Sequence, residues 1–170
     1  DLPGSYKLEG SDMALQDTID HFRGSFYRDG FAVKGGFDVP AVFDPMRADT
    51  DWCRPGESPL ECEFRVHRPS FVIVSLEYPY KGRTTEGYKT YIRQIIELAM
   101  EKGIVPILST KADNMENDNA INLANAQLAA EYDLPLWNFW AAVQGLPNRG
   151  LDVSAGRDDG FHISYDAWTV

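Results

Sequence analysis

The residues whose types and spacing best suit chemistry lie late in the chain, in Asp159-Gly160-Phe161-His162. A carboxylate three residues before a histidine, with a glycine that lets the chain turn, allows the Asp to fix the imidazole tautomer. The same pairing stabilises the imidazolium formed during acyl transfer. Taken alone, the tetrapeptide reads more readily as an ordinary surface loop. The three histidines, His21, His67 and His162, are far apart and form no HxxxH or HExxH pattern. Zinc catalysis is therefore not expected. Residues 111–119 (Lys-Ala-Asp-Asn-Met-Glu-Asn-Asp-Asn) offer oxygen ligands of the kind Ca²⁺ accepts, but without EF-hand spacing. They read better as a polar strand-to-helix loop in which Asp118 caps the helix. Asp44, Asp49 and Asp51 read as loop residues for the same reason, so neither a metal nor a cofactor is expected.

Two cysteines, Cys53 and Cys62, flank a turn-rich Arg-Pro-Gly-Glu-Ser-Pro-Leu-Glu segment. The alternatives are a disulfide and two free thiols. The turn-rich spacing favours the disulfide, and with it an oxidising compartment. Tyr78, Tyr80, Trp137, Trp140 and Trp168 could line a carbohydrate or partner surface, although packing is the commoner role of aromatics.

These groups need a scaffold, and 170 residues with 44% apolar composition suffice for one domain spanning residues 1–170. The formal net charge of −10 repels phosphate backbones and anionic lipid, so nucleic acid is not expected as a partner. No apolar run approaches membrane-spanning length. Residues 11–24 read as a helix capped by Ser11 or Asp12. Residues 25–34 read as a short strand, 40–43 as a helical turn and 43–63 as a long loop. The second half alternates strand and helix: strand 70–76, a helix capped by Thr84 or Thr85 and stopped by Gly103, strand 104–108, a helix after Asp118, strand 134–137, then helix 139–146. A short helix after His162 closes the chain. Such alternation predicts βαβ units, a parallel sheet and helices on both faces. In such sheets, sites form at the carboxyl ends of the strands.

Three stretches resemble the SGNH (GDSL) hydrolase family. They are residues 68–76 (Arg-Pro-Ser-Phe-Val-Ile-Val-Ser-Leu), 103–110 (Gly-Ile-Val-Pro-Ile-Leu-Ser-Thr), and 122–138 followed by Asp159-Gly-Phe-His162. Residues 53–65 together with Leu-Pro-Asn-Arg-Gly-Leu at 146–151 look like a secreted bacterial group of that family. The resemblance covers nearly the whole chain and is strongest from Arg68 onward. It implies a three-layer α/β/α sandwich of flavodoxin-like SGNH type. It further implies that His162 is a general base, Asp159 its orienting partner, and the Gly36 backbone N–H an oxyanion donor.

The departures from the family pattern are equally specific. No Gly-Asp-Ser occurs, and the nearest imitation, Gly4-Ser5, follows only three residues. The third block, Gly-x-Asn-Asp in the family, here reads Glu77-Tyr78-Pro79-Tyr80, and no Asn lies between Ser70 and Asp113. Tyr78 and Tyr80 thereby become candidate contacts in the place of a catalytic residue. The serine-bearing first strand is expected to be missing from the chain, leaving sheet edges that a cleaved N-terminal segment, an omitted segment or a protein partner would complete. Two functions follow as expectations. One is a non-catalytic extracellular or cell-surface domain acting as a binding or assembly subunit. The other is a secreted serine esterase on acylated carbohydrate or lipid, its serine on another segment.

Overall fold

The structure, a computed structural model, describes residues 8–24, 30–76, 84–154 and 158–164. It is mixed α/β. Near the start, a 3-10 turn at Gly10–Leu15 runs into helix α1 (Gln16–His21). The expected side-chain cap is not formed there: Glu9 takes the N-cap position without a side-chain bond, and the Ser11 hydroxyl turns to Asp12. Of the expected strand at 25–34, residues 25–29 lie outside the described residues and 30–34 form a turn. The Phe31 N–H donates to Glu63 Oε2 at 2.5 Å, so it is not available to a strand ladder.

The expected long loop at 43–63 is also corrected, because helix α2 (Pro59–His67) starts inside it. Its signature is legible in Ser58-Pro59-Leu60-Glu61. Ser58 Oγ accepts from Glu61 N–H at 3.3 Å, Glu61 Oε2 accepts from Ser58 N–H at 2.9 Å, and Pro59 occupies the first helical position. A 3-10 turn at Ala41–Phe43 fulfils the expected helical turn.

Strands β1 (Phe71–Val74), β2 (Val105–Ser109) and β3 (Leu136–Trp137) form a parallel sheet in that spatial order. Phe71 pairs with Val105, and Leu108 with Leu136. Helix α3 (Thr85–Glu101) links the first two strands and α4 (Ala120–Glu131) the next two, giving the expected βαβ units. Thr84 Oγ1 caps α3 by accepting from Gly87 N–H at 3.1 Å. Its apolar stripe, Tyr88, Ile92, Ile95, Ile96 and Ala99, is fully buried, as helical spacing requires. The helix ends as Ile104 N–H reaches Ala99 C=O (2.9 Å) and Gly103 N–H reaches Met100 C=O (3.0 Å). Gly103 has φ 71°, a left-handed value that a Cβ would disfavour. In α4, Asn119 (φ 55°) rather than Asp118 occupies the N-cap; Asp118 Oδ1 accepts from Ala120 N–H one step outside.

Helices α3 and α4 pack on each other and both on β2. Successive strands advance in one direction across the sheet, so two right-handed crossovers place both helices on one face. The expectation of helices on both faces needs a reversal of strand order, and none occurs among the described strands. The opposite face shows the result: Phe71 is 63% and Ile73 55% exposed, while Val74 and Leu108 are buried. Strand β1 is therefore half-buried, not covered on both faces. The core joins α2, α3, α4 and the helix-facing side of the sheet through Leu60, Phe64, Val74, Ile95, Leu108 and Leu128. Among the described residues, the outer edge of β1 has no ladder partner.

Candidate functional site

The chain leaves β3 through helix α5 (Phe139–Val143), capped by Asn138 Oδ1, which accepts from Ala141 N–H at 3.1 Å. A 3-10 turn at Pro147–Gly150 follows, and the segment bearing His162 then returns against it. Asp152 N–H donates to His162 C=O, and Ser164 N–H to Gly150 C=O, each at 2.8 Å. Leu151 and Ile163 form an antiparallel bridge at the same place. The segment around His162 is thus clamped against residues 150–152.

Within this clamp the tetrapeptide makes the pairing that its spacing suggests. Asp159 Oδ1 accepts from Phe161 N–H (3.2 Å) and His162 N–H (3.1 Å), while Oδ2 lies 2.5 Å from His162 Nδ1. Gly160, at φ 82°, supplies the turn that makes this geometry reachable. Loss of water raises the Asp159 carboxyl pKa, but the hydrogen bonds from His162 and Phe161 outweigh it and hold the group below its ordinary value. An ionised carboxylate only accepts, so the proton between the two groups sits on Nδ1. The neutral ring then carries its lone pair on Nε2. About half of the imidazole is exposed, and the Phe161 ring lies 4.3 Å from it. This arrangement can orient a base and stabilise its protonated form, and nothing in it requires a metal.

The ends of β2 and β3 carry a partly buried polar net. Asn125 bridges Ser109 C=O and the Tyr88 hydroxyl, both at 2.9 Å. Asn122 pairs with the Lys111 backbone through Oδ1 (2.8 Å) and Nδ2 (3.2 Å). Thr110 Oγ1 accepts from Trp140 N–H at 2.9 Å and lies 3.3 Å from Asn138 Oδ1. In the loop where oxygen ligands suggested Ca²⁺, Lys111 Nζ is 2.6 Å from Asp113 Oδ1 and 2.8 Å from Glu116 Oε2. Those two carboxylates are almost wholly buried, at 2% and 1% side-chain exposure. The chain's own ammonium neutralises them in part, and backbone N–H groups of Met115 and Ile121 complete their coordination.

The other predicted residues fall in different places. Gly36 has φ 80° in an exposed turn closed by Phe37 N–H to Lys34 C=O at 2.9 Å. Among the described residues, nothing lies within 4 Å of where its Cβ would sit, and no backbone hydrogen bond joins its turn to the segment bearing His162. Tyr78, Tyr80 and the rest of the third block lie outside the described residues, as do Gly4, Ser5, Trp168 and most of the expected C-terminal helix. Trp137 is half exposed at the end of β3 and meets Phe139 edge-on at 5.5 Å.

Cys53 and Cys62 form the expected disulfide, tying the loop before α2 to the helix itself. Beside it, Arg65 binds Glu57 through two parallel bonds of 2.7 and 2.8 Å and donates to Trp52 C=O at 2.9 Å. The Arg65 guanidinium holds the Glu57 carboxyl down to about 2. No helix among the described residues is long and apolar enough to cross a membrane. No protein-family model matches the chain, and no curated protein matches it in sequence.

Proposed function

We propose that this chain is an SGNH-hydrolase-like domain that supplies the base half of a serine ester hydrolase site. The observation that carries the reading is the Asp159/His162 pair, whose carboxylate accepts from two backbone N–H groups and lies against the ring Nδ1, which leaves Nε2 as the acceptor. In this scheme a serine hydroxyl attacks the ester carbonyl while Nε2 takes its proton. The imidazolium, paired with Asp159, returns that proton to the leaving alcohol. Water then cleaves the acyl-serine by the same proton path, and Gly36 would serve the oxyanion as its resemblance implies. The substrates are acyl esters on carbohydrate or lipid.

The chain has no Gly-Asp-Ser, so in this reading the nucleophile comes from another segment. The unpartnered edge of β1 is where a serine-bearing strand would join, its apolar side chains meeting Val33, Val42, Leu60 and Leu76. A second such layer over Phe71 and Ile73 would give the three-layer SGNH sandwich. The disulfide fits an extracellular or cell-surface setting.

A second reading, a non-catalytic binding or assembly subunit, is favoured by the absence of any Asn between Ser70 and Asp113. A fluorophosphonate probe on the natively purified protein, followed by denaturing mass spectrometry, separates the two. A serine adduct on a co-purifying segment, reduced about 10⁴-fold in formation rate by Asp159→Asn, supports the hydrolase. Absence of any adduct on a folded protein supports the assembly subunit.

A further inference from the structure

A cavity of about 580 Å³ opens between the 30–34 turn, the loop preceding Cys53 and the last turn of α2. Phe31, Lys34, Arg47, Asp49, Trp52 and His67 line it. Trp52 is 63% exposed, an unusual state for an indole whose backbone is so firmly held. Its N–H donates to Asp49 C=O (3.2 Å), its C=O accepts from Arg65, and Cys53 beside it is bonded to α2. Phe31 stacks on His67 at 5.1 Å with an 11° tilt and lies 6.2 Å from Trp52, giving a wall of aromatic faces. A rigid, exposed aromatic loses little entropy when a flat ligand settles on it.

The charges of the cavity are as distinctive as its wall. Lys34 makes no ion pair among the described residues. Among the described residues Arg47 forms an ion pair only with Asp44, at 3.8 Å, and lies over the Phe37 ring at 5.7 Å. Its planar fork of donors is therefore largely uncommitted, and such a fork suits a carboxylate. Asp49 adds an acceptor to the same rim, suited to hydroxyl groups.

We infer that this cavity binds an acidic saccharide, with one sugar ring on Trp52 and its carboxylate at Lys34 and Arg47. The net charge of −10 sharpens the class: a dense polyanion is repelled at long range, whereas a ring with a single carboxylate meets the local pair of cations. The inference does not depend on the reading of Asp159 and His162, because neither residue lines this cavity.

The test is titration of the full chain with a uronic-acid disaccharide and with its carboxyl-reduced neutral counterpart, followed by calorimetry. The uronate is expected to bind about tenfold more tightly than the neutral sugar, and less so as salt rises. A Lys34→Gln/Arg47→Gln variant, altered only at the surface, should retain its melting temperature and lose that preference. Trp52→Ala should weaken both sugars. Equal affinity for both sugars in the parent protein, or an undiminished preference in the charge variant, overturns the inference. So does tighter binding of a short peptide through its C-terminal carboxylate, which would make the cavity a peptide site.

Discussion

Replacing Lys111 by Met leaves Asp113 and Glu116 as two buried carboxylates with no ion pair among the described residues. Breaking a buried ion pair from one side costs about 3–5 kcal/mol. Here the lower figure applies, since Met115 N–H still donates to Asp113 at 3.2 Å and Ile121 N–H to Glu116 at 3.2 Å. About 3 kcal/mol is roughly a 150-fold change in the unfolding equilibrium. With a urea slope near 2 kcal/mol/M, the midpoint should fall by about 1.5 M. The triple variant Lys111→Met/Asp113→Asn/Glu116→Gln removes all three charges and should recover to within about 1 kcal/mol of the parent. Urea denaturation followed by circular dichroism reads all three proteins on one scale. A midpoint shift below about 0.5 M for the single variant would refute the reasoning, as would a triple variant no better than the single one. There is also a pH signature. Burial pulls the Lys111 pKa down, but its bonds to Asp113 and Glu116 overcome this and raise it above 10.5. Its contribution is then present below that value and lost as the pH climbs through the raised one, a decline that Lys111→Met should lack.

Two further outcomes are expected. Cys53→Ser/Cys62→Ser opens a loop of sequence separation 9 and should lower stability by about 2.7 kcal/mol, measured as the urea midpoint with and without reductant. Glu57, held at about 2 by Arg65, stabilises the fold above its unfolded value of 4.5 and loses that contribution as pH falls toward 2. An acid titration of melting temperature should therefore slope downward over that window and flatten in Glu57→Gln.

The parts of the structure legible in the sequence are those whose cause is local. The Thr84 cap, the apolar stripe of α3 and Gly103 are all set by neighbours within a few residues, and they fell where expected. Asp159 and His162 are three apart, and their pairing needs only the Gly160 turn. Helix α2 was equally local, but its Ser58-to-Glu61 box was hidden in a stretch that Pro, Gly and Asp made look like loop. Sheet coverage was less readable. An apolar run such as Phe71 to Val74 has the same composition whether one face or two is covered, and only the strand order decides. The Lys111, Asp113 and Glu116 trio reads as a solvated loop until its burial is known. The cavity at Trp52 was beyond reach, since Phe31, Arg47, Trp52 and His67 meet only through the packing of α2.

The order of the sheet also bears on how this protein acquires its structure. Each strand pairs with the next strand of the chain, one helix away, so β1, α3 and β2 can consolidate before β3 and α4 are made. Such growth needs few distant closures and suits assembly during synthesis, from the amino-terminal side onward. Among the described strands, the one left open is also the first in the chain. A segment arriving late, from the same chain or another, would find a finished template rather than compete with a growing one.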